Sequence, residues 1–180
     1  PPLNRHGVHL LSGKDRFDSL PAKYNRMRNL AHADVQLIWE DDELYLPHHI
    51  SSYVKALSSN EWAHPSRVWS TYGSTVHQEA SGGRFHAALG FRSSFLDSIG
   101  GWPVTDEPNF DQQLIALANR HAEPGRPDIE SEKGPSYVFR WADTGATHGQ
   151  NTMDRGVDWY RAAQPQVTDP VHITLDDVRL

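Results

Sequence analysis

Short apolar runs broken by polar turns, with few long periodic stretches, set the pattern of this chain. The most abrupt of them runs from Val35 to Trp39 and stops at four consecutive carboxylates, Glu40-Asp41-Asp42-Glu43. Its β-branched and aromatic content predicts a buried strand. Pro47 then predicts the first turn of a helix, where a missing backbone N–H is not needed. Ile50, Tyr53, Val54 and Leu57 supply the expected buried stripe of that helix, over about 47–59. Upstream, Leu20, Tyr24, Met27 and Ala31 fall at helical spacing. They predict an amphipathic helix over about 20–33 that starts near Ser19 and Pro21. Val8-His9-Leu10-Leu11 reads as a short strand before it. Strand and helix thus alternate, the pattern of an α/β sheet.

From Arg67 the pattern changes. Strands over 67–72 and 75–79 about Gly73-Ser74 predict a hairpin. Ser81-Gly82-Gly83-Arg84 reads as a second turn, and 85–91 as a strand. A short helix over 93–99 should end at Gly100-Gly101, since glycine is the residue that closes a helix in the left-handed conformation. Phe110, Leu114, Leu117 and His121 stripe a helix over 110–122, with Asp111 in its first turn. Residues 123–135 read as a loop and 136–141 as a strand. A small, polar stretch over 142–150 contains His148. No period marks the chain from Asn151 onward, and no repeat is visible. The expected organisation is one domain over 1–150, with 151–180 a tail or an extension of it.

Composition narrows the function classes. A chain of 180 residues can bury one real core. Six Trp, six Tyr and six Phe supply much of its burial. A formal net charge of -6 gives no basic field, so nucleic acid is not the expected partner. The absence of cysteine rules out disulfides and thiolate metal sites and leaves the compartment undecided. No apolar run approaches the roughly 20 residues of a membrane span. With no signal-peptide pattern, the expectation is a cytoplasmic protein. The chain begins Pro1-Pro2 without a methionine, as a fragment or processed piece would.

Four acids at the end of a buried strand repel one another and call for a cation, and in open α/β sheets that edge is where ligands bind. Three blocks within residues 8–150 then resemble a family 2 glycosyltransferase of the GT-A fold. The first is Ala22-Lys23-Tyr24-Asn25, Ala33-Asp34, and Leu37-Ile38-Trp39-Glu40-Asp41-Asp42-Glu43 with Pro47. It is similar to the family's Asn-bearing helix, strand, acidic cluster and proline-led helix. The second, Gly100-Gly101-Trp102 followed by Phe110-Asp111, resembles a Gly-Gly-aromatic turn and an acid-bearing helix. The third, residues 137–141 leading to His148, resembles a late strand followed by a metal-ligand histidine. Three features depart from the family pattern. The strand–helix–strand unit that binds the nucleotide base has no counterpart before Val8. Phe110 stands where a second acid is common. Tyr137 stands where processive members carry Gln before Arg140-Trp141, so a processive polymerase is not implied.

The resemblance implies an α/β fold of the GT-A type, a mixed sheet flanked by helices and truncated at its N-terminus. It implies transfer of a sugar, with inversion, from a nucleotide-sugar donor to a glycan or other hydroxyl acceptor. A divalent cation, Mn²⁺ or Mg²⁺, would bridge the donor phosphates. Asp42 and His148 are the implied metal ligands. Glu40 holds the first acidic position, facing the ribose or the metal shell, Asp41 the variable middle one, and Asn25 completes the block. Asp111 is the candidate general base. Arg84 and the turn before it are candidates to hold phosphate, and Trp102 a candidate to stack on a sugar. Glu43 reads as a helix-start charge. Bland readings stand beside each: a solvated acidic turn, a helix-dipole charge at Asp111, a backbone bridge at Asn25, a core role for Trp102. Two other functions stay open, a non-catalytic carbohydrate- or partner-binding remnant of the fold and a metal-dependent phosphoesterase.

Overall fold

The structure, a computed structural model, describes residues 17–40, 43–72, 75–105 and 109–140. The expected strand over 8–11, the stretch 142–150 and the tail from 151 lie outside the described residues. The elements run α1 (Leu20–Leu30), β1 (Val35–Leu37), β2 (Leu44–Tyr45), α2 (His49–Leu57), β3 (Trp62–Ala63), β4 (Arg67–Tyr72) and β5 (Thr75–Ala80). A single 3₁₀ turn (His86–Ala88) precedes β6 (Gly90–Arg92), α3 (Ser93–Ser98), α4 (Phe110–His121), α5 (Pro127–Glu130) and β7 (Tyr137–Arg140).

The class is mixed α/β, with two small sheets among the described residues. In the first, β6 lies between β1 and β3 and is antiparallel to both, Phe91 standing opposite Gln36 and Trp62. The second has the order β2-β7-β4-β5. Its β2–β7 and β4–β5 pairs are antiparallel, and β4–β7 is parallel. One face of the first sheet carries the largest core cluster, in which Trp62 and Phe91 meet Tyr24, Phe95, Trp102 and Leu114. The other face packs Val35 and Leu37 against Tyr53, Ala56 and Leu57 of α2. A third cluster, Val68, Phe85, Ala87, Ala88 and Tyr137, lies against the second sheet. Ile38 packs on both the first and the third cluster. The chain leaving β1 is therefore pinned where the two sheets meet, just before Glu40.

Local chemistry explains these elements. Ser19 caps α1, its hydroxyl accepting from the Ala22 N–H at 3.3 Å, and Pro21 sits in the first turn. Gly100 and Gly101 stop the segment after α3 with φ of 86° and 79°. A side chain at Gly101 would also overlap Asn25 and the Arg28 guanidinium. Gly90 is required by proximity: a Cβ there would stand 2.6 Å from the Tyr53 ring and 2.8 Å from Leu37. That closeness lets the Tyr53 hydroxyl donate to the Ala88 carbonyl at 2.5 Å.

Several expected elements differ. In α2 the buried side is His49, Ser52, Tyr53, Ala56 and Leu57, while Ile50 and Val54 are 57% and 52% exposed. The helix is turned so that small Ser52 and Ala56 allow close approach to the sheet and Tyr53 reaches Ala88. In α1 only Tyr24 of the expected stripe is buried, joined by Pro21. Within α4, Leu114 is buried as expected, but Ile115 and Ala118 take the places of Leu117 and His121. Over 85–91 the strand is only β6, because the backbone first makes the 3₁₀ turn that tucks Ala87 and Ala88 inside. The loop over 123–135 contains α5, held by Asp128, whose carboxylate accepts from the Ser66 and Arg67 N–H groups and the Ser66 hydroxyl. Among the described residues, no helix is long and apolar enough to cross a membrane.

Candidate active site

Four elements deliver polar side chains to one place. Glu40 follows β1, Tyr24 comes from α1, His86 opens the 3₁₀ turn, and Asp111 stands in the first turn of α4. The Tyr24 hydroxyl donates to Glu40 Oε1 at 2.9 Å. His86 Nε2 stands 2.8 Å from the same oxygen. On the other side of the ring, His86 Nδ1 lies 3.7 Å from Asp111 Oδ2, within ion-pair range. One imidazole therefore spans two carboxylates that are 71 positions apart in sequence. The side chains are 19% (Glu40), 24% (His86) and 15% (Asp111) exposed, so solvent reaches the cluster without flooding it.

The surroundings fix its geometry. The Tyr45 hydroxyl accepts from the Glu40 N–H at 2.9 Å, which holds the backbone at the acid. Asp111 Oδ1 accepts from the Gln112 N–H at 2.8 Å. The Gln112 side-chain amide donates to the Gly83 carbonyl at 2.8 Å, tying α4 to the turn that leads into His86. The rings of Tyr24 and Phe110 flank His86 at 6.3 and 5.8 Å.

Charge is shared across the cluster. Burial by itself would push the His86 pKa down, but the facing carboxylates of Asp111 and Glu40 outweigh it and raise the group to about 9. His86 is therefore an imidazolium at neutral pH. Burial would raise the Asp111 pKa, yet the His86 charge and the Gln112 N–H hold it below the usual carboxylate range. The N-terminal end of α4 favours that negative charge as well.

The other expected site residues fall in different places. Asn25 turns both ends of its amide to one residue, donating to the Trp102 carbonyl at 2.7 Å and accepting from the Trp102 N–H at 2.9 Å. Trp102 is 2% exposed and packs on Tyr24 with ring centroids 4.6 Å apart, so it is a core residue and not a sugar platform. Arg84 pairs with Glu79 at 2.7 Å and donates to the Ala80 and Ser81 carbonyls. Glu43 is not a helix-start charge: it is buried and accepts from the Arg140 N–H at 2.9 Å. Asp41, Asp42 and His148 lie outside the described residues.

His86 was not singled out by sequence reasoning. Within a stretch read as a strand it is one of eleven histidines, and only the preceding Gly82-Gly83 pair hints that the backbone turns there. Among the described residues, no group of three or more His, Asp and Glu side chains is disposed to hold a metal ion. Glu40, the carboxylate directly before Asp41-Asp42 in the chain, is engaged by the Tyr24 hydroxyl and the His86 ring. Comparison with protein-family models, with curated proteins and with solved structures finds nothing that matches this chain.

Proposed function

We propose that this chain is a metal-dependent, inverting glycosyltransferase of the GT-A type, moving a sugar from a nucleotide-sugar donor to a hydroxyl acceptor. One observation carries the reading. The acid that opens the carboxylate run, Glu40, and the acid at the start of α4, Asp111, meet at His86. A donor acid and an acceptor base have to share one pocket if they are to act on the two sides of one glycosidic bond.

In this reading Asp42 and His148 would hold the cation, with Glu40 beside them toward the donor. The cation would offset the charge that develops on the departing diphosphate. Asp111, a carboxylate positioned by His86, accepts the proton of the acceptor hydroxyl as that oxygen attacks the anomeric carbon. The C–O bond to the diphosphate breaks on the opposite side in the same displacement, and no sugar–enzyme bond forms. His86 positions both carboxylates and acts through them, and Asn25 holds the Trp102 turn behind Tyr24. Arg84 would serve the donor phosphates only by exchanging its Glu79 partner for them.

The test is release of nucleoside diphosphate from a panel of UDP- and GDP-sugars with Mn²⁺ and an oligosaccharide acceptor. Asp111→Asn should lower the rate by about 10²–10⁴, the usual worth of a general base. Undiminished turnover in that variant would remove Asp111 from the mechanism. The second reading, a binding remnant, is favoured by the fact that His86 already pairs with both acids from within. Thermal stabilisation by Mn²⁺ with UDP or GDP supports the enzyme, and none at millimolar nucleotide supports the remnant.

A further inference from the structure

A cleft of about 490 Å³ is bounded by the Gly82-Gly83 turn, by one side of α4 and by the chain around Arg126. Its size is that of a small-ligand site. Glu40, His86 and Asp111 do not line it, so its chemistry is its own. Trp62 and Ile115, both core residues, supply an apolar surface inside it.

Arg126 is the one cation among the described lining residues, and no carboxylate stands with it there. One of its N–H groups donates to the His64 carbonyl at 3.0 Å. The rest of the guanidinium, including the Nε and Nη2 edge, has no partner among the described residues. Asp128 lies two positions on, but its carboxylate is committed to the Ser66 and Arg67 N–H groups and the Ser66 hydroxyl. The Arg126 charge is felt at the cleft wall. Burial first, and that charge after it, hold the neighbouring His64 pKa down at about 4 against the opposing pull of Asp128.

We propose that this cleft binds a small organic carboxylate, its anionic end on Arg126 and its apolar body against Trp62 and Ile115. The site uses none of the acid cluster and stands whether or not the transferase reading does.

The charge and shape of the lining select that class of ligand. A guanidinium fork matches the two oxygens of a carboxylate with two parallel N–H bonds. A single positive charge balances a monoanion and leaves a phosphate monoester, with nearly two charges, underneutralised. A cationic ligand would meet Arg126 with no counter-charge, and an uncharged one would leave the fork unused.

The backbone adds donors and holds the cleft in shape. Gly82 and Gly83 follow one another with φ of 58° and 74°, a conformation that side chains resist. Neither N–H has an acceptor among the described residues. Successive N–H groups in such a turn form a concavity suited to an anion. The turn is fixed by the Ser81 N–H on the Ser66 carbonyl at 2.8 Å and by the Ser81 hydroxyl against the His64 ring at 3.0 Å. The Gln112 side-chain amide is spent on the Gly83 carbonyl and on Asp111, so it braces the turn against α4 and is not a ligand donor. A preformed site binds without the entropic cost of ordering itself.

The experiment follows amide NMR resonances of the full chain while benzoate or phenylacetate is added into the millimolar range. Saturable shifts at Gly82, Gly83, Ile115 and Asn119 are expected with at least one of the two. Benzyl alcohol, with the ring but no charge, should bind about tenfold more weakly or worse, the usual worth of a charge-assisted hydrogen bond. Arg126→Gln should weaken the carboxylate by about as much and leave benzyl alcohol unchanged. Because Arg126 also holds the His64 carbonyl, Asn119→Trp serves as the second variant. It fills the cleft from an exposed position and should abolish carboxylate binding. Absence of saturable cleft shifts with both carboxylates overturns the proposal, as does equal binding of benzyl alcohol or unchanged affinity in both variants. Phenyl phosphate binding more tightly than either carboxylate overturns the ligand class.

Discussion

At the scale of single residues, His86 carries the most consequence. Its folded pKa of about 9 lies above the ordinary value of 6.5, so its contribution to stability is fully present below about pH 6.5 and lost as pH rises toward 9. A shift of that size corresponds to roughly 3 kcal/mol. Urea unfolding at a series of pH values should show this alkaline loss, and His86→Gln should flatten it. On the acid side, burial holds His49 and His64 at about 4, so the stability they permit at neutral pH is lost as pH falls below 6.5 toward 4. Asn25 is the second informative residue. Asn25→Ala would leave the Trp102 N–H and carbonyl without their partners at a cost of roughly 2 kcal/mol. Chemical denaturation measures it directly, and an unchanged midpoint would mean that water replaces the clamp.

At the scale of elements, existence was easier to read than orientation. The caps and stops were visible in the chain because they are local chemistry: Ser19 with Pro21 begins α1, and Gly100-Gly101 closes the segment after α3. The hairpin β4–β5 was legible for the same reason, as two strand-like runs around a short turn. The buried face of α2 was not. Periodicity favours Ile50 and Val54, but the side chosen depends on the long-range bond from Tyr53 to Ala88 and on Gly90, neither of which a local pattern contains. Mutation separates the two faces. Val54→Ala should change stability by no more than about 0.5 kcal/mol, as for other surface sites. Leu57→Ala, at a residue 1% exposed, should cost about 2–5 kcal/mol. Gly90→Ala, forcing Tyr53 and Leu37 apart, should cost about 1–3 kcal/mol. Equal effects at Val54 and Leu57 in thermal unfolding would contradict the orientation of α2 described above.

At the scale of the whole molecule, two sheets meet at Ile38, and the first acid of the carboxylate run stands two residues beyond that joint. The sequence pointed to Glu40 and Asp111 separately, each through its neighbours: an apolar run ending in acids, and an aromatic turn leading to a helix. What joins them is His86, which had no local signal because its role is set by the 3₁₀ turn and by the packing of Ala87 and Ala88. Burial likewise decided Trp102, since aromatic platforms and core aromatics look alike in a sequence. The central claim is that Glu40, His86 and Asp111 form the centre at which a nucleotide sugar reacts. It is tested most directly by the pH titration of the His86 imidazole, followed by NMR with and without Mg²⁺ and UDP or GDP. Binding of the charged pair beside Glu40 should draw that carboxylate away from the ring and lower the His86 pKa from about 9. A titration curve that stays unchanged at saturating nucleotide and Mg²⁺ would contradict the account.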